Sequence, residues 1–400
     1  MLYRKMGNTG EKISILGYGC MRFPRKNGRI DEERTEKQIL SAIDQGVNYF
    51  DTAYIYPGSE KVLGKILAKG HRKKVKIATK LPPYLVHSRK DMDRILDVEL
   101  KNLKTDYIDY YLIHALPNIE SWERFKDFGG LEFLHEIKQA GKVKHVGFSF
   151  HGNIGSFKAI LDDYAWEFCQ IQYNYLDEYY QAGKEGLEYA ASKGIGVVIM
   201  EPLRGGMLVK KIPDDVQKIW DKAEIKRTAA ERALMWVWNH PQVTTVLSGM
   251  NDEKHIDENI KIAKNAYPFS LKEEELKLIH KAKNIFTGLM KVGCTGCGYC
   301  MPCPAGVDIP SCFAFYNEKH MFGGLNMYMT TTSGITGGKP SYASLCIECG
   351  KCEKRCPQNL PIRQHLKDVS KEMEGFSMKF LIKVAKAYFK VNKWFKGLRN

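Results

Sequence analysis

No stretch of about 18 uninterrupted apolar residues occurs in the 400-residue chain, so no membrane-spanning helix is expected. Its first residues, Met1-Leu2-Tyr3-Arg4-Lys5, lack the apolar core of a secretory signal, which predicts a cytoplasmic protein. Also missing is a G-x-G-x-x-G turn after the first apolar strand, where an open doubly wound sheet would cradle a pyrophosphate; Gly17-x-Gly19 is too little to serve. Acidic residues are scarce, 46 against 61 Lys and Arg, for a net charge of +15.

The imbalance is uneven, because Ser377 to Asn400 holds seven basic residues and no acidic one. Lys379, Lys383, Lys386, Lys390, Lys393 and Lys396 step by three or four. Phe380, Val384, Tyr388, Val391, Phe395 and Leu398 follow the same period on another face. The pattern predicts a basic amphipathic helix over 377–400. Such a helix suits an anionic membrane surface or an acidic electron-transfer protein, and equally suits lying apolar-face-down on its own protein. No nucleic-acid partner is expected, since no recognition motif accompanies the charge.

Cysteine is plentiful where acid is not. Eight of the eleven cysteines fall in two runs, Cys294-x2-Cys297-x2-Cys300-x2-Cys303-Pro304 and Cys346-x2-Cys349-x2-Cys352-x3-Cys356-Pro357. Closely stepped thiolates with a distant Cys-Pro are what a [4Fe-4S] cubane requires, so two such clusters are expected in a reducing compartment. Zinc also accepts Cys-x2-Cys pairs, but four cysteines per run and a proline after each argue against it. Disulfides are less suited still to a 400-residue chain that needs no staples. The spacing resembles bacterial two-cluster ferredoxins, which implies that the last cysteine of each run serves the opposite cluster. One cluster would then take Cys294, Cys297, Cys300 and Cys356, the other Cys346, Cys349, Cys352 and Cys303. The first run is one residue short before its Cys-Pro, and Cys312 is a spare ligand candidate.

Upstream, apolar strands alternate with amphipathic helices. Strands are predicted at Ile15–Met21, Tyr49–Asp51, Lys76–Lys80, Tyr110–His114, His145–Ser149, Cys169–Gln172, Gly196–Met200 and Thr244–Ser248. Helical patterns include 32–45, 60–69, 90–103, 157–163, 186–193, 228–239 and 253–264. Eight strand-helix units predict an α/β fold, a (β/α)8 TIM barrel over 1–285. Residues 286–376 would form a mainly helical two-cluster ferredoxin-like domain. It would be joined by a helix over 271–289, hold a further helix over 311–321 and contain a turn-rich stretch, Thr330 to Gly334 with Gly337-Gly338.

Barrel chemistry gathers at the C-terminal strand ends. Asp51 and Tyr56 follow the second strand, Lys80 closes the third and His114 the fourth. Singly, each has an ordinary explanation as packing, a solvated strand end or a core histidine. Their coincidence at one rim points to a site.

Through Phe50-Asp51-Thr52-Ala53-Tyr54-Ile55-Tyr56, Ser59-Glu60, Ile77-Ala78-Thr79-Lys80 and Tyr111-Leu112-Ile113-His114 the chain resembles the aldo-keto reductase family. The Cys297-Gly298-Tyr299-Cys300-Met301-Pro302-Cys303-Pro304 segment is similar to that family's iron-sulfur branch. The resemblance implies an oxidoreductase that reduces a small carbonyl with NADP(H) or NAD(H), using Asp51, Tyr56, Lys80 and His114. Tyr56 would give the proton, Lys80 would lower its pKa, Asp51 would hold Lys80, and His114 would orient the carbonyl. It further implies Ser149 and Gln170 at the nicotinamide carboxamide and Pro202, Leu203 and Arg204 along the pyrophosphate. Met200, Ser248 and Gly249 would complete the cofactor site, with Glu258 and Asn259 toward the adenine. Phe150, Met200, Gly249 and His255 depart from the family pattern, the last two where cations often clamp a 2′-phosphate; Lys254 and Arg204 are candidate substitutes, and NAD(H) is at least as well supported as NADP(H).

Clusters pass single electrons whereas nicotinamide moves a hydride, and no flavin motif joins the two. The clusters are therefore expected to serve electron transfer, sensing or structure. The alternative function is an iron-sulfur electron-transfer or redox-sensing protein whose barrel binds nucleotide without significant turnover.

Overall fold

The computed structural model describes residues 1–210, 212–294, 296, 298–323, 328–333, 339–356 and 358–375. The basic helix expected over 377–400, Cys297 and the Gly337-Gly338 turn lie outside the described residues. Two compact units are formed, one of Met1–Lys210 with Trp220–His280, the other chiefly of the described residues beyond Lys281. Among the described residues no helix is long and apolar enough to cross a membrane.

The first unit is a closed parallel barrel of eight strands: β1 (Leu16–Gly19), β2 (Tyr49–Asp51), β3 (Lys76–Leu81), β4 (Ile108–Leu116), β5 (Val143–Phe150), β6 (Phe168–Gln172), β7 (Gly196–Met200) and β8 (Thr245–Ser248). Neighbours in sequence are neighbours in space, and β8 closes on β1 through Ser248 opposite Tyr18. Its strands read as apolar runs because both faces are covered, as in Tyr110 to Ile113, where every residue is buried.

The surrounding helices form for local reasons. In Glu32–Asp44 the Asp31 side chain accepts from the Arg34 amide, capping the first turn. Thr35, Ile39, Ala42 and Ile43 fall on one face and are buried. Burying such an isoleucine is worth about 1.5–3 kcal/mol, so a polar residue at Ile39 would cost the helix its anchor.

The N-terminal end of the barrel is plugged by a hairpin, Tyr3–Lys5 with Lys12–Ser14, that the sequence reading did not include. Met6 and Ile13 enter a cluster with Tyr49, Tyr110, Leu112, Phe168 and Val198. Gly7 makes the entry possible, since a Cβ there would stand 2.3 Å from the Gly194 carbonyl. Also unanticipated are two helices, Ile119–Asp127 and Gly130–Gln139, in the β4–β5 connection.

The second unit is helical. Ile309–Phe322, Tyr328–Thr332 and Ile362–Met373 enclose a core of Val307, Phe313, Tyr316, Tyr328, Leu366 and Val369. The turn-rich reading of Thr330 to Gly334 is corrected in its first half: Tyr328–Thr332 is a short helix. Burial decides it, because Tyr328 is 1% exposed and its hydroxyl joins the Glu374 carboxylate and the Ala343 amide. Polar threonines at 330–332 hid that buried anchor. Glu273–Gly288, expected as 271–289, connects the two units along the chain.

Candidate active site and cysteine-rich unit

At the C-terminal rim the barrel register sets Asp51 beside Ala78 and Lys80 beside Leu112. Lys80 is fully buried and donates to Asp51 Oδ1 and Oδ2, each at 2.6 Å, and to the Thr52 carbonyl at 2.7 Å. Burial pushes the Asp51 carboxyl above its ordinary range, and Lys80 opposes that rise. The Lys80 ammonium stands 5.4 Å from the Tyr56 ring centre, and the His114 ring meets Tyr56 edge-on at 6.0 Å. The structure thus brings the four predicted rim residues together.

The Tyr56 turn is pinned from both sides. Ser59 donates to the Cys20 carbonyl at 2.9 Å and its Oγ lies 2.8 Å from Thr52 Oγ1. The neighbouring Glu60 accepts from Thr79 at 2.7 Å, tying the turn to β3 next to Lys80.

One expectation does not hold. The Tyr56 phenol is shifted upward, by burial first and then by Asp51, Cys20 and Glu201; the cation that opposes the shift is Arg22. Lys80 is spent on two carboxylate oxygens and a carbonyl, so its field at the phenol is offset by the Asp51 charge. The Tyr56 hydroxyl therefore keeps its proton at neutral pH. His114 is lowered to about 3, by burial and then by the charge of Lys80 and by His151, so its imidazole is neutral near pH 7. β4 runs two residues past it, through an irregularity at which Ala115 has a φ of 53° and donates to Ser149 Oγ at 2.7 Å.

Ser149 lies opposite Gln170 in the β5–β6 register, and both are buried. Gln170 Nε2 contacts Met200 Sδ at 3.5 Å, whereas its Oε1 is buried with no partner among the described residues. An orphaned amide oxygen beside a serine hydroxyl fits a carboxamide ligand. The Pro202-Leu203-Arg204 loop turns sharply, with positive φ at Glu201 (54°), Arg204 (45°), Gly205 (65°) and Gly206 (95°). Arg204 is held by Asp177 at 3.0 Å, which Asn174 and Gln172 also contact. Asn259 donates to Ser248 Oγ at 3.0 Å and is buried, while Glu258 accepts from Thr228 at 2.7 Å. Gly249 and His255 are exposed.

Arg22 and Asp177 were missed in the sequence. Arg22, on the turn after β1, donates to the Gly205 carbonyl at 2.8 Å and packs near Gly249, so it spans three loops. Nothing in its Cys-Met-Arg context marks it. Asp177 could have been noticed only from its pairing with Arg204.

In the second unit the two cysteine runs repeat each other. Two residues after the first cysteine of each run, Gly296 and Glu348 have positive φ and donate their amides to Cys294 Sγ and Cys346 Sγ, each at 3.4 Å. Gly298 and Gly350, with φ of 77° and 70°, follow at matching places. Gly306 and Asn359, three residues after Cys303 and Cys356, turn likewise, and helices start at Ile309 and Ile362. Backbone amides aimed at sulfur suit a thiolate better than a thiol.

Cys303 borders one hollow of about 300 Å³ with Cys346, Cys349 and Cys352; Cys356 borders a smaller one with Cys294, and Cys300 touches both. Among the described residues no three Cys, His, Asp or Glu side chains converge as a single ion would need. Cysteines ringing a hollow are the donor set of a cubane, whose ligands stand around four irons. Cys312 is buried in the core near Tyr328 and lines neither hollow.

Residues 15–284 match the aldo/keto reductase family and residues 293–360 a 4Fe-4S dicluster domain. The L-galactose dehydrogenase of Arabidopsis thaliana is 25% identical over 70% of this chain and 95% of its own. The L-glyceraldehyde 3-phosphate reductase of Escherichia coli O157:H7 is 26% identical over 68% and 90%. Among solved structures, the holo form of aldo-keto reductase AKR11C1 from Bacillus halodurans matches with a TM-score of 0.59 and 26% identity, covering 70% of this chain and 96% of that one. The chain belongs to the aldo/keto reductase family of oxidoreductases and carries a 4Fe-4S dicluster domain beyond its barrel.

Proposed function

We propose that the barrel reduces an aldehyde or ketone to the alcohol with a nicotinamide cofactor, Tyr56 supplying the proton, and that the second unit holds two [4Fe-4S] clusters. The observation that carries this reading is Lys80, bonded to both oxygens of Asp51, set against the Tyr56 ring with His114 on its edge. A bound nicotinamide would supply hydride to the carbonyl carbon. The chain's own groups handle the oxygen. As that oxygen becomes an alkoxide, it takes the Tyr56 proton, leaving a phenolate that draws its proton back from solvent. A phenol raised by burial is fully loaded at neutral pH, and an alkoxide is basic enough to take its proton. Neutral His114 can donate one N–H to the same oxygen.

Ser149 and Gln170 would hold the carboxamide, and the 201–206 loop the pyrophosphate, with Met200 and Ser248 at the neighbouring strand ends. Gly249 and His255 supply no cation themselves and Arg204 is held by Asp177, but Arg22 packs near Gly249 and the exposed Lys254 adjoins His255, so NAD(H) is at least as well supported as NADP(H). The hollows support the crossed ligand pairing: Cys294, Cys297, Cys300 and Cys356 for one cluster, Cys303, Cys346, Cys349 and Cys352 for the other.

The test mixes anaerobic protein with NADH or NADPH and a panel of neutral and anionic aldehydes. Loss of the reduced-nicotinamide absorbance, abolished in Tyr56→Phe, is expected. Nucleotide binding without turnover on any aldehyde would instead favour a redox module whose barrel is a nucleotide-binding scaffold.

A further inference from the structure

The two cysteine hollows have unlike surroundings. The smaller, bordered by Cys294, Cys300 and Cys356, is otherwise lined by Gly298, Ile309, Pro310, Phe313, Gln358, Leu360 and Ile362, with no charged side chain. The larger is rimmed by Lys351, Arg355 and Arg363, without a carboxylate, and one of its cysteines, Cys349, is exposed.

The charges on that rim are not self-cancelling. Arg363 pairs with Glu353 at 2.7 Å and Lys367 with Glu348 at 2.7 Å, which uses the two acids of the stretch 346–367. Lys351, Lys354 and Arg355 are exposed, and among the described residues none has an acidic partner. Ile347, next to Cys346, is 66% exposed and lines the same hollow as Lys351 and Arg355. An exposed apolar residue sharing a rim with unpaired cations and a solvent-reaching cysteine has the composition of a small transient docking patch.

We infer that the hollow of Cys303, Cys346, Cys349 and Cys352 is the electron port of this unit, and that its basic rim docks an acidic one-electron carrier protein. The inference rests on the cluster loading proposed above. One electron leaves the reduced carrier and enters the cluster at this site, and no bond or proton changes place. The other hollow offers no charge to orient an acidic partner, and none of its described cysteines is as exposed as Cys349, so entry runs through the basic side. Opposite charges raise the encounter rate and orient the carrier over Ile347, and salt weakens both effects.

The experiment uses the full chain with clusters loaded, under anaerobic conditions, and a reduced acidic [2Fe-2S] ferredoxin as probe. Stopped-flow absorbance follows probe oxidation as a function of ionic strength, while iron content and the paramagnetic resonance of the dithionite-reduced protein report the clusters. The second-order rate constant should fall steeply with salt. Lys351→Glu with Arg355→Glu should lower it at low salt by about tenfold or more and flatten the salt dependence, with iron and resonance unchanged. Because both residues adjoin cluster ligands, Lys354→Glu and the milder Lys351→Gln are run beside them and should slow transfer in proportion to the charge removed. An unchanged rate constant and salt slope in all the variants would overturn the port. So would slowing confined to charge reversals in 379–396. A chain that binds no iron overturns the cluster reading itself, which the iron assay shows separately.

Discussion

Lys80 and Asp51 form a closed ion pair at the barrel rim, the ammonium bonded at 2.6 Å to each carboxylate oxygen and neither side chain more than 4% exposed. A cation so fully matched does little to acidify its neighbour. Its consequence is geometric: it ties β2 to β3 directly beneath Tyr56, and the Thr52 carbonyl takes the remaining bond.

Breaking one half of the pair should be worse than removing both. Asp51→Asn leaves a buried ammonium facing a neutral amide, and Lys80→Met leaves a buried carboxylate; each should cost about 3–5 kcal/mol in denaturant unfolding. The double variant should cost clearly less than the sum, since it strands no charge. Simple additivity would mean that the pair is not coupled in solution.

Tyr56→Phe removes the proposed proton donor while keeping the ring against Lys80 and His114. Turnover should drop by about 10²–10⁴-fold, the usual share of general acid catalysis. Cofactor dissociation, followed by fluorescence titration, should stay within about twofold, because in the proposed reaction the phenol hydroxyl meets the substrate and not the nucleotide. Equal losses in both would take Tyr56 out of the chemistry.

Much of this was legible because a barrel repeats. Alternation of apolar strands with amphipathic helices located all eight strands within a few residues, and the β2, β3 and β4 ends delivered Asp51, Lys80 and His114 to one rim. What escaped depends on contacts that pattern does not carry. The 119–139 helices are broken by Gly129 at a φ of 83°, so they show no single long period. Arg22 acquires a role only when the chain folds Gly205 and Gly249 against it. The direction of the Tyr56 shift follows from burial outweighing nearby charge, a balance that residue types alone cannot give. In the cysteine runs the spacing was visible, but the shared turns at Gly296 and Glu348 were not, because one is glycine and the other is not.

With its pKa lowered from 6.5 to about 3, His114 is neutral in the folded barrel between those two values, where the unfolded chain would protonate it. The sign is that of a depressed group: this contribution to stability is complete above about pH 6.5 and is lost progressively as pH falls toward 3. Activity should accordingly show no acid limb from His114 between pH 5 and 8, a window lying above its folded pKa of about 3. His114→Gln, which keeps a neutral donor, should retain more turnover than His114→Phe. A ring titrating near pH 6.5 in the proton spectrum of the folded protein would contradict the burial argument.

Cys303 and Cys356 sit at equivalent places in the two repeats, yet each borders the hollow of the other run. Under crossed pairing, Cys303→Ser should disturb the same cluster as Cys349→Ser, and Cys356→Ser the same cluster as Cys294→Ser. Each substitution should lower iron by up to about half, one [4Fe-4S] unit of two, and leave the resonance of the other cluster in place. Within a pair the residual spectra should coincide; between pairs they should differ. The exposed side of Cys349 makes its cluster the quicker to bleach in air, so oxygen should erase first the spectrum that Cys303→Ser removes. If Cys303→Ser instead reproduces Cys294→Ser, each run serves its own cluster. The two hollows would then not map onto the two cubanes.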